Sequence, residues 1–381
     1  MLVQQTRLAV SCVPALLVLL LNSIGFSGED PWLRYTTEAA RLRRDGQYSE
    51  AEAKYTSAYM AVVDAPEEYA RLGMSLVDLA NLYTDMGRYS DAETAAGRAL
   101  KLFQQKVSDP KNPGVALAQK RLAEIYRIQG RYAAAEELLI QALAAYEAAN
   151  PPNALALAGT LNNFAILRLN QQRPSAAEPL LKRAIAILQK VVGPNDPAIG
   201  TSLNNLASVY LLSGRHVDAE TVARRALAVF EQAQIRHPID LALSLQNIAF
   251  LRLRQEQYAE AETLFQRALD TLSRELGPLH ADLAPVLLNL SRVYYHQRRY
   301  TDAEGLLRRS LEIREAAFGP ASFFVAEVLR DQALLLRKVK RKTEAKKLDA
   351  RAQAIHAAHA RENLEGYTAD VSELLVSPKR R

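Results

Sequence analysis

Small residues recur along the chain with a spacing of about 42 residues. One series consists of Ala51, Ala92, Ala135, Ala177, Ala219, Ala261, Ala303 and Ala345. Its members are separated by 41, 43, 42, 42, 42, 42 and 42 residues. A second series, twelve residues earlier, consists of Ala39, Ala80, Ala123, Ala165, Ala207, Ala249, Ser291 and Ala333. Two positions that keep one period over eight units predict eight copies of one structural repeat.

Within each unit the apolar residues follow one face of a helix. The small residue recurs seven positions later, as at Ala226 after Ala219, and a large apolar residue such as Leu227 follows it. Spacings of four, seven and eight residues place side chains on one side of an α-helix. Alanine at a helix contact lets two backbones approach closely. Each unit is therefore predicted to be an antiparallel helix pair in an all-α fold.

Turn and capping residues agree with this division. Glycines that would form the turn inside a unit are Gly46, Gly87, Gly130 and Gly214. Prolines at the predicted starts of first helices are Pro113, Pro151, Pro197 and Pro238. Pro179 is expected in the first turn of a second helix. Pairs that match the capping box, in which a hydroxyl and a carboxylate bond exposed backbone N–H groups, are Ser49/Glu52, Ser90/Glu93, Ser175/Glu178 and Thr301/Glu304.

The fifth unit carries the fullest form of the repeat. Its residues read LNNLASVY at 203–210, GRH at 214–216, DAE at 218–220 and RAL at 225–227. These residues resemble the tetratricopeptide repeat, and the resemblance covers about residues 33–360. The 42-residue period and the Gly-Pro linkers at 193–194, 277–278 and 319–320 resemble the kinesin light chain variety. Arg168 and Arg252 depart from the pattern, which has a tyrosine at their position in the first helix.

The resemblance implies a right-handed superhelix whose concave groove, lined by first helices, binds an extended or helical peptide of a partner protein. One 42-residue hairpin is too small to be stable alone. Stacked hairpins bury each other in a continuous core, and the end of the stack needs a polar cap. Asp349 stands where other units carry an apolar residue, so the eighth unit is expected to be that cap.

A series of asparagines marks the candidate groove. Two residues before the first-helix alanine lie Asn163, Asn205, Asn247 and Asn289, and beside them lie Asn162, Asn204 and Gln246. Asparagine is a poor helix former, so this recurrence needs a reason. In the resembled family this position faces the groove, where an amide can bond a peptide backbone. Alternatively, each amide bonds a neighbouring helix and maintains the stack. Phe250 is a candidate apolar contact in the groove, with core packing or plain exposure as the alternatives.

Residues 1–27 are typical of an export signal. Arg7 precedes the apolar run Leu8–Leu21, and the small residues Gly25 and Ser27 precede a plausible cleavage point before Gly28. The alternative is an uncleaved membrane anchor. The expected organisation is a signal peptide at 1–27, the helical array at 28–360, and the end of the last helix with a short basic tail at 361–381. Periplasmic or secreted localisation follows from this interpretation.

The net charge of +6 is concentrated at one end of the chain. Residues 337–381 hold twelve Lys or Arg and six Asp or Glu, which leaves the remainder balanced. A balanced array does not attract nucleic acid along its length, so nucleic-acid binding by the array is not expected. The alternative is that the basic C-terminal end contacts anionic lipid or nucleic acid.

Motifs that would support catalysis are absent from the sequence. We find no glycine-rich phosphate loop and no Gly-x-Ser-x-Gly elbow. His356, His359 and Glu362 share a helix face and could hold a metal, but solvation is the simpler expectation. The predicted function is therefore a non-enzymatic scaffold that binds a partner protein without cofactor, metal or small-molecule substrate. The alternative is an accessory component of an envelope or secretion assembly at the membrane.

Overall fold

The predicted repeats are present as eight helix pairs. The computed structural model describes residues 30–107, 109, 111–149, 153–233 and 237–363, which form sixteen α-helices and one short 3-10 helix, Pro66–Glu68, with no strand. The first helices of the pairs are α1 (Pro31–Arg44), α3 (Tyr69–Asp85), α5 (Pro113–Ile128), α7 (Ala154–Asn170), α9 (Pro197–Leu212), α11 (Pro238–Arg254), α13 (Leu283–His296) and α15 (Phe323–Lys338). The second helices are α2 (Tyr48–Met60), α4 (Tyr89–Lys106), α6 (Tyr132–Ala148), α8 (Pro174–Val191), α10 (His216–Gln232), α12 (Tyr258–Leu276), α14 (Tyr300–Phe318) and α16 (Lys342–Asn363). The all-α prediction is confirmed. The predicted signal at 1–27 and the tail beyond residue 363 lie outside the described residues.

The recurring small residues lie in the seams between helices. Every member of both series is at most 2 % exposed. The residues seven positions later, such as Ala58 and Ser310, are equally buried. Because a methyl or hydroxymethyl group adds little width, the paired helices can pack closely along these seams. The prediction that these residues set the helix packing is confirmed.

The turns inside the units share one backbone conformation. Gly46, Gly87, Gly130 and Gly214 have φ angles of 74°, 74°, 82° and 73°, as expected for a glycine that ends a helix. The other turns place Gln172, Glu256, Arg298 and Lys340 at φ angles of 61° to 67°. Left-handed backbone is unfavourable for residues with a Cβ. The stacking of the repeats therefore imposes this turn even where glycine is missing.

The capping-box prediction is wrong. The four helices concerned begin one residue before the expected caps, so Ser49, Ser90, Ser175 and Thr301 are the second residue of α2, α4, α8 and α14, and no side chain caps these helices. The tight turn that precedes them is closed by backbone bonds, as from Gln47 N–H to the Leu42 carbonyl at 2.9 Å. Because α8 begins at Pro174, Pro179 lies in its second turn rather than its first.

Side-chain caps occur instead at first helices, where the sequence pattern had indicated only proline. The capping side chains belong to Asp30, Asn112, Asn153, Asp196 and Ser322. Pro113, Pro197 and Pro238 are the first residues of their helices, as predicted. Pro151 lies outside the described residues.

The glutamates of the expected capping boxes form ion pairs between units. One glutamate of each second helix from α2 to α14 accepts from an arginine of the following unit at 2.7 to 3.0 Å. The pairs are Glu52–Arg88, Glu93–Arg131, Glu136–Arg168, Glu178–Arg215, Glu220–Arg252, Glu262–Arg299 and Glu304–Arg341. All seven interfaces between units therefore carry the same charge contact.

Arg168 and Arg252, which depart from the repeat pattern, preserve this contact by another route. In units two, three, five and seven the arginine comes from the turn and lies over a first-helix tyrosine, as Arg131 lies 3.8 Å from the ring centroid of Tyr126. In the fourth unit Arg168 stands in the tyrosine's place, is 0 % exposed, and bonds both oxygens of Glu136 at 2.8 Å. Arginine thus replaces tyrosine here because it can reach the same glutamate directly.

The first helices lie on the inner side of the array. First helices of neighbouring units contact each other, as α3 contacts α5 and α9 contacts α11. In α9 every residue from Ile199 to Leu211 is buried, whereas α10 buries only five residues and keeps an exposed face. The second helices therefore form the outer layer, and the first helices form the inner face.

The array curves until its two ends meet. His280, between α12 and α13, lies with Nε2 2.5 Å from the carbonyl oxygen of Asp85 at the end of α3. Tyr89 stacks on Phe318, with the ring centroids 5.1 Å apart, and is buried together with Ile128 and Phe324. We refer to this contact between units one to three and units six to eight as the closure.

Candidate functional site

The predicted groove residues lie on the inner face but are buried. Asn163, Asn205, Asn247 and Asn289 are 3 %, 0 %, 0 % and 6 % exposed, and Asn162, Asn204 and Gln246 are 1 %, 0 % and 6 % exposed. A partner can reach a side chain at 0 % exposure only where the packing around it opens. The structure thus brings these residues onto one face, as the repeat pattern indicated, but covers them.

Asn204 links two first helices. Its Nδ2 donates to the carbonyl oxygen of Asp240 at 2.8 Å, and its Oδ1 accepts from Ser244 Oγ at 2.8 Å, both on α11. From α11, Asn247 Nδ2 donates back to the Asn204 carbonyl at 3.2 Å. These bonds satisfy polar groups that would otherwise be buried without partners.

Amide side chains also link the two first helices one interface earlier, between α7 and α9. Asn205 Nδ2 donates to Asn162 Oδ1 at 3.3 Å, and Asn162 Nδ2 donates to Ser202 Oγ at 2.8 Å. Asn289 differs, because its Oδ1 accepts from Arg292 within α13. The contacts of Asn162, Asn204, Asn205 and Asn247 agree with the stack-maintaining interpretation. A role of these residues in partner binding stays a prediction.

The inner face opens toward the C-terminal units. The position after the first-helix alanine is at most 6 % exposed in units two to five, where it holds Asn81, Glu124, Ile166 and Ser208. In units six and seven it holds Phe250 and Arg292, both half-buried, and in unit eight Leu334, which is 48 % exposed. Phe250 packs against the core of both adjacent units, and Leu253 on the same helix lies in that core.

A charged network borders the open part of the inner face. Arg292 donates to Asp331 at 2.6 Å and to Glu327 at 3.1 Å, while Arg314 donates to the other oxygen of Glu327 at 3.0 Å. Burial raises the pKa of Asp331, and the Arg292 guanidinium beside it acts in the opposite direction. The network was missed in the sequence because its members come from three helices without a common spacing.

Two further carboxyl groups, those of Asp78 and Asp240, have a raised pKa. Burial raises the pKa of Asp78 to about 6, although the Arg43 and Arg121 guanidinium groups oppose this shift. Burial likewise raises the pKa of Asp240 to about 7, against the effect of a hydrogen bond from Thr201. Each lies against a different neighbour, so the two carboxyl groups do not form an acid–base pair.

The basic C-terminal stretch is partly neutralised within the array. Arg337 pairs with Asp349 of the last helix, and Arg341 pairs with Glu304 of the preceding unit at 2.7 Å. Contact of this stretch with lipid or nucleic acid stays a prediction. His356 packs edge-on against Phe323 at 5.0 Å, whereas the side chains of His359 and Glu362 lie outside the described residues.

The described ranges contain neither a metal-binding cluster nor a membrane-spanning helix. No group of three or more His, Cys, Asp or Glu side chains among those residues is placed to hold a metal ion. None of the helices described above combines the length and apolar character needed to cross a bilayer.

Comparison with known proteins identifies the family. The model of the tetratricopeptide repeat matches residues 71–148, 156–232, 240–316 and 282–358. The chain belongs to the tetratricopeptide repeat family. Members of this family are typically non-catalytic interaction scaffolds. No curated protein matches this chain in sequence.

Two solved structures share the fold at low sequence identity, and a third is similar over a smaller part of this chain. The apo form of the quorum sensor NprR from B. thuringiensis is 14 % identical, with 90 % of this chain and 93 % of that chain covered and a TM-score of 0.57. A Rap protein complexed with Competence and Sporulation Factor is 14 % identical, with 87 % and 99 % covered and a TM-score of 0.55. BtubC (BKLC) from P. vanneervenii, a kinesin light chain-like protein, is 22 % identical, with 66 % and 96 % covered and a TM-score of 0.46.

Proposed function

We propose that this tetratricopeptide array is a non-enzymatic scaffold that binds a segment of another protein on the inner face of units six to eight. The observation that carries this proposal is the gradient of exposure along the inner face. The position that is closed in units two to five becomes half-buried at Phe250 and Arg292 and 48 % exposed at Leu334.

The chemistry of this surface suits a polypeptide. Leu334 and Phe250 offer apolar contact, and the network around Arg292 offers charged groups at its border. The helices are already ordered by the array, so binding costs little conformational entropy on this side of the complex. The Rap structure that shares this fold holds Competence and Sporulation Factor, which supports ligand binding by such an array.

A matched pair of variants tests the surface. Leu334→Asp places a charge on the inner face of α15, and Val217→Asp places one on α10 in the outer layer, where Val217 is 80 % exposed. A partner isolated by affinity capture with the full chain should be lost with Leu334→Asp and retained with Val217→Asp. Equal retention by both variants would exclude this surface, and equal loss would point to a general charge effect.

We also propose that the chain is exported. The support is the order of Arg7, the apolar run Leu8–Leu21 and the small residues Gly25 and Ser27. Expression of the full chain followed by cell fractionation and N-terminal sequencing checks this. A mature protein that begins at Gly28 outside the cytoplasm is the expected result. A chain that keeps residues 1–27 in the membrane fraction would indicate the anchor instead.

A further inference from the structure

The turns inside the units lie along one edge of the array, because each turn joins a first helix to its antiparallel partner. At the start of the array this edge takes part in the closure, where Gly46 meets unit six and Asp85 meets His280. In unit eight the turn at 338–342 is exposed except for Val339, which is half-buried. The edge is therefore accessible at the C-terminal end of the array.

The turn of unit eight carries an unusual concentration of positive charge. Residues 337–342 read RKVKRK, so five of the six are Lys or Arg. The equivalent six residues of the other units hold one or two Lys or Arg each. Lys346 continues the pattern on α16, one helical turn after Lys342 and on the same side of the helix. This charge is thus a property of unit eight and not of the repeat.

Four of these lysines have no carboxylate partner. Arg341 pairs with Glu304 at 2.7 Å and with Glu344 at 2.6 Å, and Arg337 pairs with Asp349. The two arginines therefore take three carboxylates between them. The lysines that are exposed and make no ion pair or side-chain hydrogen bond within the described ranges are Lys338, Lys340, Lys342 and Lys346. We refer to these four lysines as the basic edge.

The charges of the basic edge repel one another. All four lie within residues 338–346, and charges of one sign at this spacing raise each other's energy. Lys342 and Lys346 form a like-charged pair one helical turn apart, which destabilises a helix. A partner of opposite charge relieves this repulsion, so the basic edge is complementary to an anionic surface.

We propose that the basic edge docks the array on the surface of an anionic lipid bilayer. Clusters of about four to eight Lys or Arg bind anionic headgroups, and lysine, a point charge on a flexible stem, needs no fixed geometry in its partner. Val339, at the tip of the turn, adds a half-buried apolar group that the interface of a bilayer accommodates. A nucleic acid strand gains instead from stacking on aromatic rings, and residues 337–347 contain none.

Docking on this edge determines how the inner face is presented. Leu334, on the inner face of α15, lies one helical turn before Lys338. The open part of the inner face therefore lies next to the bilayer. Because the net charge of the chain resides in residues 337–381, this end turns toward a negative surface. The proposal concerns the edge and does not rest on a partner segment being bound to the inner face.

Co-sedimentation of the full chain with lipid vesicles tests the basic edge. The vesicles consist of phosphatidylcholine alone or of phosphatidylcholine with about 30 % phosphatidylglycerol, which supplies the negative charge. The apolar run at 8–21 is present in every variant, so a difference between variants does not come from it. Each basic residue near a negative surface strengthens binding about fivefold, so loss of all four lysines should weaken binding to the anionic vesicles about 100- to 1000-fold.

Three combined variants are compared with the unmodified chain. The first replaces all four lysines of the basic edge by glutamine, and the second replaces them by arginine, which keeps the charge. The third is a charge-matched control at exposed lysines of α4, α8 and the linker after α4 that likewise have no ion pair: Lys101→Gln, Lys106→Gln, Lys111→Gln and Lys190→Gln. Both glutamine variants lose four charges, so an effect of net charge alone changes them equally.

The basic edge is supported as the docking surface if the unmodified chain prefers anionic vesicles, the control and arginine variants keep this preference, and the first variant loses it. Equal binding of the unmodified chain to both vesicle types overturns it, as does an equal loss in the two glutamine variants or a failure of the arginine variant to bind. Tighter binding to a short DNA duplex than to anionic vesicles at the same salt concentration would assign the surface to nucleic acid instead. None of these results depends on whether a partner protein is captured.

Discussion

Gly46 in the first unit lies against the backbone of Glu275 in the sixth. A Cβ atom at Gly46 would stand 2.7 Å from the carbonyl oxygen of Glu275, closer than carbon and oxygen normally approach. Position 46 therefore requires glycine for two reasons: its φ of 74° is unfavourable for other residues, and a Cβ atom would collide with the sixth unit at the closure. Gly87 has the same φ, but nothing lies within 4 Å of a Cβ placed there.

This difference provides a test of the closure. Gly46→Ala and Gly87→Ala should each lose about 1 kcal/mol from backbone strain, but only Gly46→Ala should also separate the first unit from the sixth. We expect small-angle X-ray scattering to give a larger radius of gyration for Gly46→Ala than for Gly87→Ala, with equal helical circular dichroism. Identical scattering from the two variants would show that the closure does not hold the array in its curved form.

The seven equivalent ion pairs should differ widely in their effect on stability. Arg168 and Glu136 are 0 % and 3 % exposed, whereas Arg88 and Glu52 are 39 % and 29 % exposed. Removing one member of a buried pair leaves a charge without a partner, so Arg168→Ala should destabilise the chain by about 3–5 kcal/mol. Arg88→Ala should cost less than about 1 kcal/mol.

Urea unfolding followed by circular dichroism measures this difference. The two arginines serve the same interface contact in different units, so each variant controls for the other. A similar loss of stability in both would mean that burial does not determine the contribution of these pairs.

Asp240 should make stability fall as the pH rises. Its pKa is raised to about 7 by burial, despite the hydrogen bond from Thr201, while the pKa of an aspartate in the unfolded chain is about 3.9. The folded chain thus holds this proton more tightly, and the contribution is complete below about pH 4 and lost as the pH rises through 7. The unfolding free energy of Asp240→Asn should therefore decline less between pH 5 and 8.

Denaturant titrations at several pH values measure this slope. Asp218→Asn, at an exposed aspartate of α10, is the matched control and should follow the unmodified chain. The assignment fails if Asp240→Asn and the unmodified chain lose stability in parallel over this range.

Asn204 and Asn163 should differ in what they contribute to the stack. Asn204→Ala removes the bond to the Asp240 carbonyl and leaves the Ser244 hydroxyl without its acceptor on Asn204. We expect a loss of about 1–3 kcal/mol. Asn163→Ala removes an Nδ2 that has no acceptor, so its loss should stay within about 0.5 kcal/mol. Thermal unfolding of the two variants checks this, and equal losses would contradict the hydrogen-bond assignment.

Local sequence patterns predicted the helices and turns correctly where a residue type has a single structural role. Ala219 or Ala303 can only be a small residue at a contact, and Gly214 can only be a flexible turn, so their period gave the helix pairs. Glu52 and Glu178 have several uses, and the same spacing suits a capping box. The bond that they make is with Arg88 and Arg215, 36 and 37 residues away.

The asparagines show the same ambiguity within the candidate site. Their recurrence indicated one face, and Asn205 and Asn247 do lie on it. Whether that face is open depends on how closely successive first helices pack, which no single repeat specifies. Lys120 is the reverse case, since in sequence it only interrupts the asparagine series, whereas in the structure it is 4 % exposed and its Nζ lies beside Gly159 of α7.

The sequence by itself determined the repeat, its period, its division into paired helices and the family to which the chain belongs, because these depend on spacing within about 42 residues. Only the tertiary structure decided that the inner face is covered in units two to five, that it opens toward Leu334, and that Gly46 meets Glu275. Small rotations between successive units add up over the array, so contacts between distant units depend on geometry that no local pattern contains.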